Sequence, residues 1–325
     1  MLINGGNNKY NGKPLFRNSI MDSGSIVPAL DVANAKPQGV YDSVVSAAGC
    51  TGSSDTLNCL RGLPYETFLN AVNSVPGIFS YSSVDLSYLP RPDPMNSFFS
   101  VSPEVAVSNG KYTKVPIIIG DQEDEGTLFS LVQSNITNTE DVIDYLASYF
   151  PNAPRADVAT FVNTYPDNAA AGSPFNTSIA NELYPEFKRL AAILGDATFT
   201  LARRGYLATV SSTVPSWSYL SSYFYGTPIL GTFHASDIVV LYDNVGTLVD
   251  AVPTNAILTY YISFVNGLNP NGASAVAAGL QEWPQYNTAN LSLMNFQTTT
   301  SAVIQDDFRE ASYQALRKYT SEFRV

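Results

Sequence analysis

Val115-Pro116-Ile117-Ile118-Ile119-Gly120-Asp121-Gln122-Glu123-Asp124-Glu125-Gly126 is the stretch whose reading decides the fold. An unbroken β-branched run stops at a glycine and turns into four carboxylates within five residues. The apolar half has the pattern of a strand buried on both faces, as in a parallel sheet covered by helices. The acidic half is then expected on the loop at the strand's carboxyl end, where open α/β sheets place their chemistry. Taken alone, the carboxylates also fit a solvated acidic turn. A second stretch, Gly231-Thr232-Phe233-His234-Ala235-Ser236-Asp237, carries the only histidine of the chain, 109 residues after Glu125.

Working outward, Phe16-Arg17-Asn18-Ser19-Ile20-Met21 reads as a buried strand stopped by Asp22-Ser23-Gly24-Ser25. Before it, residues 1–14 have the look of a frayed helix end and a Gly/Asn-rich loop. Short helices are expected around 38–48, 54–62 and 64–73, then an aromatic, proline-rich loop over 76–94 that packs on its own side chains. Beyond the central strand the pattern predicts helices near 139–149 and 155–164, the first opened by Thr139-Glu140-Asp141. A long amphipathic helix is expected over about 180–210, with Ala191, Leu194, Thr198 and Leu201 at helical spacing. Residues 217–223 alternate as a strand, and 257–264 and 308–319 read as further helices. Strands separated by helical stretches indicate a mainly parallel sheet with peripheral helices. No internal repeat, low-complexity linker or composition break divides residues 1–325.

The chain has 17 basic and 28 acidic residues, a net charge of -11. A nucleic-acid or anionic-membrane partner needs a basic footprint, so neither is expected. No run of about 18 apolar residues occurs, so no membrane span is expected. Cys50 and Cys59 stand nine residues apart, too wide for the usual metal-ligand pairs and with no histidine nearby. They read as a disulfide, worth roughly 2.5–3 kcal/mol in the chain-entropy model. Sequons at Asn135, Asn176 and Asn290 point towards glycosylation on a secretory route. Met1-Leu2-Ile3-Asn4-Gly5-Gly6 is neither basic nor apolar enough for a signal peptide, so a preceding N-terminal portion is expected. There is no metal-ligand cluster, phosphate-binding glycine loop or cofactor fingerprint, and no cofactor is expected.

A carboxylate after one parallel strand and a histidine after the next follow the logic of a hydrolase relay. The acid orients the imidazole and stabilises its protonated form, and the imidazole shuttles a nucleophile's proton.

The matching segments carry a family resemblance. They are Tyr10-Asn11-Gly12-Lys13-Pro14-Leu15-Phe16-Arg17, Met21-Asp22-Ser23-Gly24, Cys59-Leu60-Arg61-Gly62, Leu89-Pro90-Arg91-Pro92-Asp93, the run from Ile119 to Thr127, and Leu230-Gly231-Thr232-Phe233-His234. Over essentially its whole length the chain resembles the type-B carboxylesterase/lipase family, nearest to the large fungal lipases of the Candida rugosa and Geotrichum candidum kind. The resemblance implies an α/β-hydrolase fold, N-terminally truncated, with residues 1–325 as the C-terminal part of a single catalytic domain. It implies a secreted carboxylic-ester hydrolase, a triacylglycerol lipase first, acting on lipid or other carboxylic-ester substrates.

Residue by residue, it places the catalytic acid on Glu125 and the base on His234. Ser23 supports the acid, preceded by Asp22 where the family has glutamine. Asp121, Glu123 and Asp124 become neighbours of the relay. An acyl-binding tunnel falls on Pro28, Phe79, Tyr81, Leu86, Leu89, Leu128, Phe129 and Leu230, and Cys50 with Cys59 matches a family disulfide.

The family's nucleophile belongs to a Gly-Glu-Ser-Ala-Gly elbow, and the chain contains no Gly-x-Ser-x-Gly segment. The relay serine is therefore expected upstream of residue 1. Two other readings stand beside this one: a catalytically inactive remnant that keeps the acyl tunnel, and an enzyme using Ser23 as nucleophile. The last lacks the glycine two residues before the serine that a strained elbow needs. The geometric expectation is that one Glu125 oxygen lies about 2.6–3.2 Å from His234 Nδ1, with the other near the Ser23 hydroxyl. The strand at 16–21 is expected to lack one neighbour.

Overall fold

The computed structural model describes residues 1–242 and 251–325. The first turn of chain, expected as a helix end and loop, contains a 3-10 turn at Ile3–Gly6 and a small hairpin. The hairpin pairs β1 (Lys9–Tyr10) with β2 (Lys13–Pro14), and Asn11 and Gly12 both take positive φ between them. Asn-Gly is the strongest short hairpin signal, because a two-residue turn needs positive φ at both positions.

The main sheet has five strands in the order β3 (Ser19–Asp22), β4 (Ile117–Gln122), β5 (Ser216–Ser221), β6 (Ser292–Phe296) and β7 (Ser301–Gln305). The first four run parallel, and β7 turns back antiparallel on β6. Among the described residues β3 is an edge strand. It starts later than the expected 16–21 and runs on through Asp22, whose backbone is in register with Gly120. β6 and β7 fall where no strand was expected.

All six residues of β4 are buried. Ile118 packs on one face with Trp217, Tyr260 and Trp283. Ile117 and Ile119 pack on the other with Tyr206, Leu207 and Val210. That alternation under two helical layers is why the segment reads as continuously apolar.

The strand also outruns the isoleucines. Beyond Gln122 the chain keeps its bonds to the next layer, with Glu123 N donating to Ser221 O at 2.8 Å and Asp124 N to Thr232 O at 2.9 Å. Asp121, Asp124 and Glu125 are each 1% exposed. The solvated acidic turn is therefore wrong: these carboxylates sit inside.

The expected helix over 180–210 begins only at Phe187, after Glu186 in a left-handed conformation, and is built in three pieces. Phe187–Gly195 is α-helical and wholly buried, Asp196–Thr200 is a π turn, and Leu201–Val210 is α-helical again. Other helices fall close to expectation, at Ala35–Ala47, Thr56–Arg61, Tyr65–Val72, Thr139–Tyr149, Arg155–Val162, Ala251–Gly267 and Glu310–Tyr319. Thr139–Tyr149 starts where the sequence places it because the Asn138 side chain accepts from Asp141 N as an N-cap.

Cys50 and Cys59 form a disulfide between the first two of these helices, in a small core with Val44, Val45, Leu60 and Ala71. None of the described helices is long and apolar enough to cross a membrane.

Candidate active site

The site forms where β3, β4 and β5 end side by side. At the end of β3, Ser23 takes a left-handed φ of 56°. Its N–H donates to Gly120 O at 2.8 Å, which turns its hydroxyl towards the chain leaving β4. That hydroxyl donates to Glu125 Oε1 at 2.5 Å, and Gln122 N donates to the same oxygen at 2.8 Å. The other oxygen, Oε2, stands 2.6 Å from His234 Nδ1. Three donors thus hold one fully buried carboxylate, which offsets the cost of burying its charge.

Two local features bring these residues together. The Asp124 carboxylate accepts from Thr232 N, Ser173 Oγ and Phe175 N, at 2.9, 2.8 and 2.9 Å. It ties the loop before His234 to the loop after β4. Gly126, directly after the acid, lies against the buried helix. A Cβ there would come within 1.9 Å of Ala191 O, so only glycine lets the acid's loop sit so close.

The His234 imidazole packs against two rings that also stack on each other, with centroids 5.1 Å from Phe129 and 4.9 Å from Phe199. Burial alone would lower its pKa. The hydrogen bond and charge of Glu125, helped by the charge of Asp237, outweigh burial and raise it. With Nδ1 bonded to a carboxylate, the ring can take up a proton at Nε2 and be stabilised as the imidazolium.

The surrounding carboxyls are pushed the other way, towards their neutral forms. Asp121 rises to about 6, chiefly through burial and in spite of Arg203. Glu123 rises to about 7 through burial and the charge of Asp124. Asp237 rises to about 6 through burial and the charges of Asp22 and Glu125.

Beyond the Glu125–His234 pair, Arg203 bonds Asp121 at 2.9 Å, Ser218 at 3.0 Å and both oxygens of Asp306 at 2.9 Å. Arg204 and the Tyr286 hydroxyl complete the shell of Asp306. This group was not anticipated, and its bonded pairs lie up to 103 residues apart. Phe199 was missed as well, although it stands at the π turn and faces the imidazole.

His234 and Ser23 line a cavity of about 760 Å³. Of the residues assigned to an acyl tunnel, Pro28, Leu86, Leu89 and Phe129 are on its wall, whereas Phe79, Tyr81, Leu128 and Leu230 are not. Phe79 is 66% exposed. Tyr81 turns its ring onto Tyr145 and accepts from Asn135 through its hydroxyl. Leu128 precedes Phe129 in a 3-10 turn that points only the latter at the cavity. Leu230 contributes its carbonyl to the Thr127 hydroxyl. Residues 316–318, 320, 321 and 323–325 line the cavity instead, which nothing in the sequence pattern marked. Asn135, Asn176 and Asn290 are all exposed.

An acid and a histidine at the ends of adjacent parallel strands, beside an apolar cavity, are the arrangement of an α/β-hydrolase. The chain matches the model of the carboxylesterase family over residues 9–316, and it belongs to that family. It is 52% identical to secreted lipase 1 of Botryotinia fuckeliana over 96% of its own length and 54% of the relative's. It is 49% identical to secreted triacylglycerol lipase LIP1 of Gibberella zeae, over 97% and 53%. With lipase 5 of Diutina rugosa the identity is 42%, over 100% and 58%. The chain therefore spans little more than half the length of these relatives. Among solved structures, EstA of Aspergillus niger superposes with a TM-score of 0.77 at 21% identity, covering 99% of this chain and 61% of that one. That likeness concerns the fold.

Proposed function

We propose that this chain supplies the acid and base of a Ser-Glu-His relay in a secreted carboxylic-ester hydrolase whose substrates are lipid esters, triacylglycerols foremost. The observation that carries the reading is the Glu125 carboxylate held between the Ser23 hydroxyl and His234 Nδ1. His234 accepts the nucleophile's proton at Nε2 as the serine attacks the ester carbonyl. Glu125 stabilises the resulting imidazolium, which then returns the proton to the departing alkoxide. A base placed in this way contributes about 10²–10⁴ in rate.

The nucleophile is a serine outside residues 1–325. The chain has no Gly-x-Ser-x-Gly segment, and Ser23 gives its hydroxyl proton to the acid, not to the base. Ser23 is thus a positioning residue. Pro28, Leu86, Leu89 and Phe129 line the acyl-binding cavity. The names of the relatives and the disulfide support secretion, with Asn135, Asn176 and Asn290 as exposed glycan acceptors.

A second reading, an acyl-chain-binding protein without catalysis, is favoured by one fact: the cavity has its walls even though the chain lacks the nucleophile motif. Hydrolysis of p-nitrophenyl palmitate separates the two. It is measured on residues 1–325 alone and on the same residues joined to the preceding segment of a relative. Activity only in the joined protein, lost in His234→Ala, supports the relay. A joined protein that folds but does not turn over substrate leaves the binding reading. Turnover by residues 1–325 alone overturns the external serine.

A further inference from the structure

The cavity wall is apolar at the relay and charged away from it. Apart from His234 and Tyr149, its ionisable side chains are Glu104, Arg317, Lys318 and Arg324, beside Val325, the last residue of the sequence. Three of the four are basic, in a chain where acidic residues outnumber basic ones by 28 to 17.

Their distance from the relay follows from the helix that runs along the cavity. Phe199 packs on His234, whereas Gly205 and Thr209 line the wall six and ten residues further along. At about 1.5 Å per residue, these positions lie roughly 9 and 15 Å from the imidazole along the axis. Tyr313 links the cations to that level: Arg204 lies 5.0 Å from its ring centroid and Arg317 lies 5.6 Å from it. Arg324 is neutralised by Glu104, at 2.6 Å. Among the described residues neither Arg317 nor Lys318 is within 4.0 Å of a carboxylate. Lys318 donates to the neighbouring Tyr319 hydroxyl and lies in the field of Asp157 and Glu322 without touching either, and Arg317 rests on Tyr313. Both are exposed, as are Ser108, Thr209 and Ser321 beside them, so the cavity meets solvent here.

We infer that this second mouth, formed by Arg317 and Lys318 around the Arg324–Glu104 pair, binds the carboxylate of a long-chain fatty acid whose tail lies in the cavity. Such a ligand points its head group away from the relay, opposite to an ester about to be cleaved. The chain as a whole carries excess negative charge, so two cations with no carboxylate within 4.0 Å give the anion a preferred end. The occupant is the anionic product of ester hydrolysis, and the mouth gives it a place to be held or to leave. The inference depends on the cavity accepting an acyl chain, not on catalysis.

Binding of dodecanoate and of 1-dodecanol to residues 1–325, by displacement of a fluorescent fatty acid, tests it. The tails are the same, and only the head group differs. At low salt dodecanoate is expected to bind about fivefold more tightly than the alcohol, the size of two exposed charge contacts. The preference should fade in about 0.5 M salt, as screening shortens the reach of exposed charges. Arg317→Gln with Lys318→Gln should abolish the preference and leave the alcohol's affinity unchanged. Glu104→Gln should strengthen dodecanoate binding, which guards against reading a misfolded variant as support. Equal affinities in the wild type, or a preference untouched by the double substitution, overturn the inference while leaving the acyl cavity standing. Failure of both ligands to bind overturns the acyl cavity as well.

Discussion

The phenol of Tyr219, on β5, donates to the carboxylate of Asp22, on β3, across the whole width of β4. It can do so because the intervening residue of β4 is Gly120. A Cβ at that position would lie 2.1 Å from the tyrosine ring. Tyr261, from the helix Ala251–Gly267, donates to the same Asp22 oxygen at 2.7 Å. The backbone that presents Ser23 is thus clamped from two other elements.

Gly120→Ala is expected to destabilise the fold by about 1–3 kcal/mol, the usual cost of overpacking a close contact. The measurement is chemical denaturation of the purified variant, alongside Tyr219→Phe, which removes the hydroxyl but keeps the ring. A Gly120→Ala protein as stable as the wild type would mean that the ring is free to move aside.

His234 is the only histidine, so its titration can be followed by NMR without assignment. Its folded pKa is raised, with burial opposing and Glu125 prevailing. The stabilisation from this pair is then fully present below the unfolded imidazole's pKa, and it is lost as pH rises through the raised folded value. Glu125→Gln is expected to lower the His234 pKa, because burial then meets no carboxylate at Nδ1 to oppose it. Its loss of stability should be larger at pH 5 than at pH 9. An unmoved pKa would remove Glu125 from the relay.

Ser23 is expected to resist a fluorophosphonate probe in residues 1–325, because its hydroxyl donates to the acid rather than to the imidazole. Stoichiometric labelling at Ser23, read by mass spectrometry, would contradict that geometry. Ser23→Ala should leave the His234 pKa within reach of the wild type, since Gln122 N still holds the same Glu125 oxygen.

Asp306→Asn is expected to cost about 3–5 kcal/mol, because it leaves Arg203 and Arg204 short of a counter-charge in the interior. Burial opposes ionisation of Asp306, but the two guanidinium groups outweigh it and hold its carboxyl below the ordinary value. Thermal unfolding of the variant gives the answer, and a near-wild-type midpoint would show the group to be dispensable.

That buried cluster also explains what the sequence could not reveal. The isoleucine run announced β4, and a solitary histidine in a glycine-flanked loop marked the place to look for a base, since both signals are local. The resemblance then matched Glu125 among four nearby carboxylates. Arg203 and Asp306 carry no such local mark, because their pairing is a property of the folded interior. β6 and β7 hid for a related reason. Ser292-Leu293-Met294-Asn295-Phe296 is fully buried, yet the amide in it, Asn295, is satisfied by distant partners, donating to Leu220 O and Ser222 Oγ. The wall of the cavity was half legible: a turn or a helix decides which of two neighbouring apolar residues, Leu128 or Phe129, looks inward.

The π turn at Asp196–Thr200 has a consequence for how this enzyme family member tolerates change. An α-helix advances about 100° per residue, so a wider turn inserts an angular offset between the halves it joins. Phe199 meets the imidazole at the turn, and Arg203, just beyond it, meets Asp121 and Asp306. One helix therefore keeps two separate phases, one for the relay and one for the charge cluster beyond it. Removing a single residue from the turn would force them into one, and either the imidazole would lose its packing or the arginine its carboxylates.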